Sequence, residues 1–347
     1  MSRFCQGFGG GDFDTRPEVC VPVIPASDAP HDIRAYSDYM TTTQGIEVAN
    51  VRRSFGEVHA VRDASFVAGP GTVTGLIGPN GSGKTTLMLM LASLLKPDSG
   101  SIRIAGHDPV TDTSAVRSQL GWMPDVLGSW SSLSVRTTLQ ITGRLYKLDK
   151  YLAVQRAEEL LLLVGLGHLA DQPTRVLSRG QKQRLSLARA LVHDPSVLLL
   201  DEPASGLDPA ARVDLRNLVR RVASEGKTVL VSSHVLAELD EMADGAVYIG
   251  AGVTASDETM AATRQTLRQW RIKAADATAL ETALVELGTY RGDIARDRSE
   301  LLVPVAGETA AAELLARLVA AGIPISTFAP AVGDLEHSFL DLSKGGK

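Results

Sequence analysis

The 347-residue chain carries 35 lysines and arginines against 40 aspartates and glutamates, a net charge of −5, with 44% hydrophobic and 22% charged residues. That composition excludes a disordered, collagen-like or disulfide-built protein, and it argues against a general nucleic-acid binder, which is usually basic. The length fits about two domains. The longest strongly apolar stretch, Thr85–Leu95, falls well short of the about 20 residues that cross a bilayer, so work at a membrane would need another chain to cross it.

Residues 1–44 read as a flexible tail: Gly7–Gly11 is nearly all glycine, and Pro17, Pro22, Pro25 and Pro30 follow at short intervals. Both cysteines, Cys5 and Cys20, lie in this stretch and cannot staple the body, which fits a reducing cytoplasm. No basic segment followed by an apolar core marks a secretory signal, and Met40, just before the first strand-like segment, is a candidate start.

Residues 45–264 alternate strands with helices. Strands are expected at Ile46–Val51, Thr72–Ile77, Val197–Leu200 and Thr228–Ser232, and helices at Thr85–Leu95 (stopped by Pro97), Val154–Val164, Gln181–Val192 and Pro209–Glu225. Val197–Leu200 is apolar without alternation, as in a sheet covered on both faces. The pattern predicts an α/β domain with a largely parallel sheet.

From residue 265 to 347 a small α+β domain is expected. Trp270, Ile272 and Ala274 alternate with Arg271 and Lys273, and Leu301, Val303 and Val305 alternate again. Leu280, Ala283, Leu284 and Leu287 share one helix face; Ala311, Leu314, Leu315 and Leu318 share another. Ile325–Phe328 reads as a closing strand, and Leu335, Phe339 and Leu342 as a last helix.

The run Gly78-Pro79-Asn80-Gly81-Ser82-Gly83-Lys84-Thr85 fits G-x-x-x-x-G-K-[ST] and lies between a predicted strand and a predicted helix, as that phosphate loop requires. Its glycines turn tightly and expose backbone N–H groups to phosphate oxygens, and the following helix offers its positive end to the same anion. Lys84 can reach the β- and γ-phosphates, the Thr85 hydroxyl can ligate Mg²⁺, and Thr86 continues the cradle. Downstream, Val197–Leu200 places Asp201 at the carboxyl end of a buried strand, where ligands of parallel sheets bind. There Asp201 would hold Mg²⁺, and Glu202 would orient and deprotonate a water.

Further stretches narrow the class. Leu177-Ser178-Arg179-Gly180-Gln181 opens a helix shortly before Asp201, Ser205-Gly206-Leu207-Asp208 follows Glu202, and His234 ends the next strand. With these, residues 45–264 strongly resemble a nucleotide-binding subunit of an ABC transporter, whose P-loop, signature, acidic strand, D-loop and switch histidine occur in this order. No Asn-Lys-x-Asp guanine-reading motif occurs, against a GTPase.

The resemblance implies an ATP- and Mg²⁺-dependent ATPase of α/β P-loop type, with a helical subdomain over about residues 125–172. It makes Phe55 the aromatic that stacks on adenine. Ser178, Gly180 and Gln181 become the signature that caps the γ-phosphate of a second copy, Asp208 an interface residue, and His234 a γ-phosphate contact. Two such chains would pair head to tail over two ATP molecules. A separate transmembrane permease would dock near Trp130–Val135, with Trp130 and Leu133 as apolar contacts, at the cytoplasmic face of the membrane; no nucleic-acid partner is implied.

The chain departs from the common pattern at Arg179, where glycine is usual, and at Asp125 in Trp122-Met123-Pro124-Asp125, where glutamine is usual. Asp125 cannot donate a hydrogen bond when ionised but can bind Mg²⁺ or its water. Both departures, and the C-terminal extension, are similar to those of type 2 ABC exporters of drugs, antibiotics and polysaccharides. A soluble ABC ATPase acting on ribosomes or DNA, and a nucleotide-gated regulatory module, remain the alternatives.

Overall fold

The computed structural model describes residues 45–125, 128, 130–255, 267–289, 291–297 and 300–331. The expected N-terminal tail, with Cys5, Cys20 and Met40, and the expected last helix through Leu335, Phe339 and Leu342 lie outside the described residues.

The first sheet has the order β4-β1-β2-β9-β8-β3-β7-β6-β5. Its strands are β1 (Ile46–Phe55), β2 (Val58–Ala68), β3 (Val73–Ile77), β4 (Ser99–Ile104), β5 (Leu120–Met123), β6 (Val197–Asp201), β7 (Thr228–Ser233), β8 (Gly245–Gly250) and β9 (Val253–Thr254). The run β8-β3-β7-β6-β5 is parallel throughout. The pairing of β2 with β9 is parallel as well, so most neighbours in this sheet run parallel, as the sequence pattern predicts. β1 pairs antiparallel with β2, through a hairpin turning at Gly56-Glu57, and antiparallel with β4 on its other side, so the sheet is mixed.

Every residue of β3, β6 and β7 is buried. The side chains of β6 divide between two cores. Leu198 and Leu200 pack with Met123, Leu139, Leu187 and Val231 on one face, while Val197 and Leu199 pack with Leu76, Leu87, Met88 and Leu230 on the other. A strand buried on both faces needs an unbroken apolar run, which Val197–Leu200 supplies.

Helix α1 (Lys84–Leu91) follows β3, and α2 (Thr113–Gln119) precedes β5. Between β5 and β6 stand α3 (Val135–Leu145), α4 (Lys150–Leu163) and α5 (Arg179–Ala190). Ser134 and Asp149 cap the first two of these by accepting from Thr137 N and Leu152 N. Helix α6 (Pro209–Ser224) links β6 to β7, and α7 (Leu236–Met242) links β7 to β8. Among the described residues no helix is long and apolar enough to cross a membrane.

A second, separate sheet is antiparallel, in the order β11-β12-β10-β13, from β10 (Leu267–Ala274), β11 (Ala295–Asp297), β12 (Glu300–Ala306) and β13 (Ile325–Pro330). With α8 (Ala277–Glu286) after β10 and α9 (Gly307–Ala320) after β12, the connectivity is the split βαβ arrangement. The alternation read from the sequence selects its core: Trp270, Ile272, Leu301, Val303 and Val305 pack on Leu280, Leu284 and Leu318. The Trp270 ring lies 5.1 Å from that of Phe328.

Candidate active site

Because β3, β5, β6 and β7 run parallel, their carboxyl ends fall on one edge of the sheet, where loops can converge on a ligand. An open cleft of about 420 Å³ lies there. It is lined by Val58, His59 and Ala60 from β2, by Asn80, Gly81, Gly83, Lys84, Thr85 and Thr86, by Asp125 just after β5, by Asp201, Glu202 and Ser205, and by His234.

The phosphate loop depends on Gly83, which sits at φ +103 with its α-carbon against the Ala60 carbonyl; any side chain there would strike that oxygen. Lys84 is buried and folds back on its own loop, its Nζ donating to the carbonyl oxygens of Gly78 (2.6 Å) and Pro79 (3.1 Å). Burial pulls the ammonium below its ordinary pKa, while the Glu202 and Asp201 carboxylates act to raise it. The Ser82 hydroxyl is buried with no hydrogen-bond partner among the described residues.

Asp201 is buried and accepts a 2.5 Å hydrogen bond from Ser232 Oγ. Burial pushes its pKa up and the Asp125 carboxylate adds to that; the Ser232 bond and Lys84 oppose it. Asp125, Asp201 and Thr85 line the same cleft and offer only oxygen donors, the kind Mg²⁺ takes together with water and substrate phosphates. Among the described residues no cluster of three or more His, Cys, Asp or Glu could hold a metal alone.

Glu202 follows directly, at φ +50. A non-glycine residue pays about 1–2 kcal/mol for that left-handed backbone. The conformation is held by its amide, which donates to Ser232 O at 3.1 Å. The carboxylate oxygen Oε2 lies 2.7 Å from His234 Nδ1. An ionised carboxylate only accepts, so Nδ1 carries the proton in that contact.

Ser178, Gly180, Gln181 and Asp208 do not line this cleft, and neither does Phe55. Ser178 and Gln181 form a capping box at the start of α5. Ser178 Oγ accepts from Gln181 N (3.2 Å), and Gln181 Oε1 accepts from Ser178 N (2.8 Å). The Ser178 hydroxyl proton stays available to an outside acceptor. Asp208 caps α6 through Ala211 N (2.9 Å). Phe55, 49% exposed, has the Arg53 guanidinium 4.7 Å from its ring centre. Trp130, 41% exposed, has the Arg189 guanidinium at 5.5 Å.

Val58, His59, Ala60 and Ser205 were not expected as lining residues. The signal for Ser205 was its position three residues after Glu202. The three residues of β2 carried no motif, and only the β1–β2 hairpin folds them over the phosphate loop.

Comparison with known proteins points one way. Residues 61–205 match the ABC transporter family. The chain is 37% identical over 214 residues to the daunorubicin resistance ATP-binding protein DrrA3 of Streptomyces coeruleorubidus, covering 62% of this chain and 68% of that protein. It is 36% identical to the ABC transporter ATP-binding protein NatA of Bacillus subtilis, covering 56% of this chain and 80% of that one. It is 37% identical to the Nod factor export ATP-binding protein I of Burkholderia lata, covering 60% and 68%. Among solved structures it is similar to an ATP-binding subunit of an ABC transporter (TM-score 0.57, 25% identity, 62% of this chain and 91% of that one). It is also similar to the ADP conformation of an ABC transporter's ATP-binding cassette (TM-score 0.56, 26% identity, 61% and 89%).

Proposed function

This chain belongs to the ABC transporter family, among its ATP-binding proteins, and from that premise we propose that it hydrolyses ATP to power a membrane exporter. The observation that carries the reading is the Glu202–His234 contact in one cleft with Lys84 and Asp201. In that cleft an acceptor for a water proton faces a cation for phosphate. The exporter assignment draws support from the relatives, which are named for daunorubicin resistance and Nod factor export. The soluble and purely regulatory alternatives have no such support.

In the proposed mechanism Lys84 exchanges its two loop carbonyls for phosphate oxygens, and the backbone N–H groups of Gly81 and Gly83 with the Ser82 hydroxyl complete the cradle. Thr85, Asp201 and Asp125 would hold Mg²⁺, which supplies charge neutralisation at the phosphates. Glu202 accepts the proton of the attacking water, and His234, held by its Nδ1 bond, turns Nε2 toward the γ-phosphate side. Phe55 offers its free face to adenine.

Ser178, Gly180 and Gln181 cap the nucleotide of a second copy, with Asp208 at that interface. A separate transmembrane subunit contacts the segment around Trp130 and Leu133 at the cytoplasmic face. Residues 45–264 form the nucleotide-binding domain in this reading, and residues 265–347 an accessory one.

The test is ATP turnover by the purified full chain with and without Mg²⁺, joined to a mild-detergent pull-down from its host's membranes. Magnesium-dependent turnover and recovery of a multi-helix membrane subunit are expected. Absence of turnover, or ribosomal or chromosomal partners in place of a membrane protein, would overturn the reading.

A further inference from the structure

Arg179 stands where this family's signature usually has glycine, and its side chain leaves the signature altogether. Its Nε donates to the Ser205 carbonyl oxygen at 2.8 Å, and an Nη lies 3.4 Å from Ser205 Oγ. The guanidinium lies against Gly206, which is at φ +69; a Cβ on Gly206 would sit 2.6 Å from Arg179 Nε. Only glycine at that position leaves the space. Ser205 itself lines the cleft, and its amide donates to the Glu202 carbonyl oxygen at 3.1 Å. A continuous bonded path therefore runs from the first residue of α5, next to Ser178, to the backbone that holds Glu202 in its left-handed conformation.

We propose that Arg179 is a positioning residue that ties hydrolysis at a chain's own Glu202 to engagement of its signature with the nucleotide of the second copy. The proposal rests on the dimeric ATPase reading above. When Ser178 and Gly180 bear on a phosphate from the partner copy, any shift of the start of α5 is transmitted by the planar guanidinium to Ser205, and from there to Glu202. Arginine suits this role: its rigid fork makes two contacts and lies against a bare backbone. A glycine at 179 has no side chain to carry the shift, so the usual signature lacks this strut. The side chain acts on the D-loop of its own chain and touches no nucleotide.

The test uses full-length chains and Mg-ATP, comparing the wild type with Arg179→Gly, Arg179→Lys and Gly206→Ala. The proposal expects kcat of Arg179→Gly to fall about tenfold and the Hill coefficient in ATP to drop toward 1, with KM changed less than about threefold. Arg179→Lys, which can reach the Ser205 carbonyl but cannot lie on Gly206, should recover part of the loss. Gly206→Ala, whose Cβ displaces the guanidinium, should resemble Arg179→Gly, and combining the two should add little further loss.

In a Glu202→Gln background, ATP-driven dimerisation followed by light scattering should be the same with and without Arg179→Gly. Unchanged kcat and Hill coefficient in Arg179→Gly would overturn the proposal. Loss of ATP-driven dimerisation would also overturn it, by placing Arg179 on the partner's phosphate instead. A wild-type chain that neither dimerises with ATP nor hydrolyses it would overturn the functional reading first, and this proposal with it.

Discussion

Two side chains show how burial sets chemistry at single residues. Glu202 is held by backbone hydrogen bonds and paired with His234, so Glu202→Gln should keep the shape of the cleft. Its kcat should fall about 10²–10⁴-fold with ATP affinity unchanged, as read by single-turnover hydrolysis and equilibrium binding. Wild-type rates in that variant would remove Glu202 from the base role. His193 is different, since it lies outside the cleft. Its ring stacks on Tyr146 at 3.7 Å, and its Nε2 donates to the Leu120 carbonyl at 3.1 Å. Burial holds it down to about 4 from 6.5; Lys227 and Arg156 act the same way, against the Leu120 bond and Asp194. The folded state thus favours the neutral ring. Its contribution is complete above pH 6.5 and is lost as pH falls to about 4, a change of about 2 kcal/mol once partial exposure is allowed for. His193→Phe keeps the stack and removes the titration, so its urea midpoint should fall less steeply between pH 6.5 and 4.5 than the wild type's. Equal slopes would show that other groups carry the acid sensitivity.

Helix α5 is fastened at both ends. Its start carries the Ser178–Gln181 capping box and the Arg179 contact with Ser205. In its last turn Arg189, a cation suited to a helix C-terminus, bonds the Gly128 carbonyl and covers the Trp130 ring. Arg189→Ala should cost about 1–2 kcal/mol by removing a charge-assisted hydrogen bond and a cation–π contact, lowering Tm by several degrees in a thermal melt. A Tm within a degree of wild type would make both contacts energetically idle. The α5 helix, β6 and α6 were legible in the sequence because each is one uninterrupted pattern between clear stops. Strand β2 was not: its buried residues Val61, Ala64 and Ala68 are spaced three and four apart, like a helix face, because its pairing with β1 shifts register. His59 and Ala60 were missed with it. The direction of Arg179 was illegible for a different reason, since it depends on Gly206, 27 positions away in a loop that only the fold brings near.

On the scale of the molecule, two sheets with separate cores divide the described chain. The alternation in β10 and β12 predicted the second core correctly because that sheet buries one face only, giving a clean period of two. The mixed character of the first sheet escaped notice because antiparallel β1, β2 and β4 precede and interrupt the βα alternation. Separate cores should also fail separately. Trp270→Ala removes the largest side chain of the second core and should destabilise that sheet by about 3–5 kcal/mol. Calorimetry should then show an early transition absent from the wild type, with ATP affinity at 20 °C unchanged. A single transition shifted as a whole, or weakened ATP binding, would mean that the two cores unfold as one.

The left-handed backbone at Glu202 sets the interests of folding against those of the reaction. Glycine adopts φ +50 without the steric cost that glutamate carries there, so Glu202→Gly relieves strain at the same stroke that deletes the proposed base. A library of variants selected for heat resistance alone would therefore drift toward glycine at this position and accumulate inert proteins. Only a screen that counts turnover would keep the glutamate.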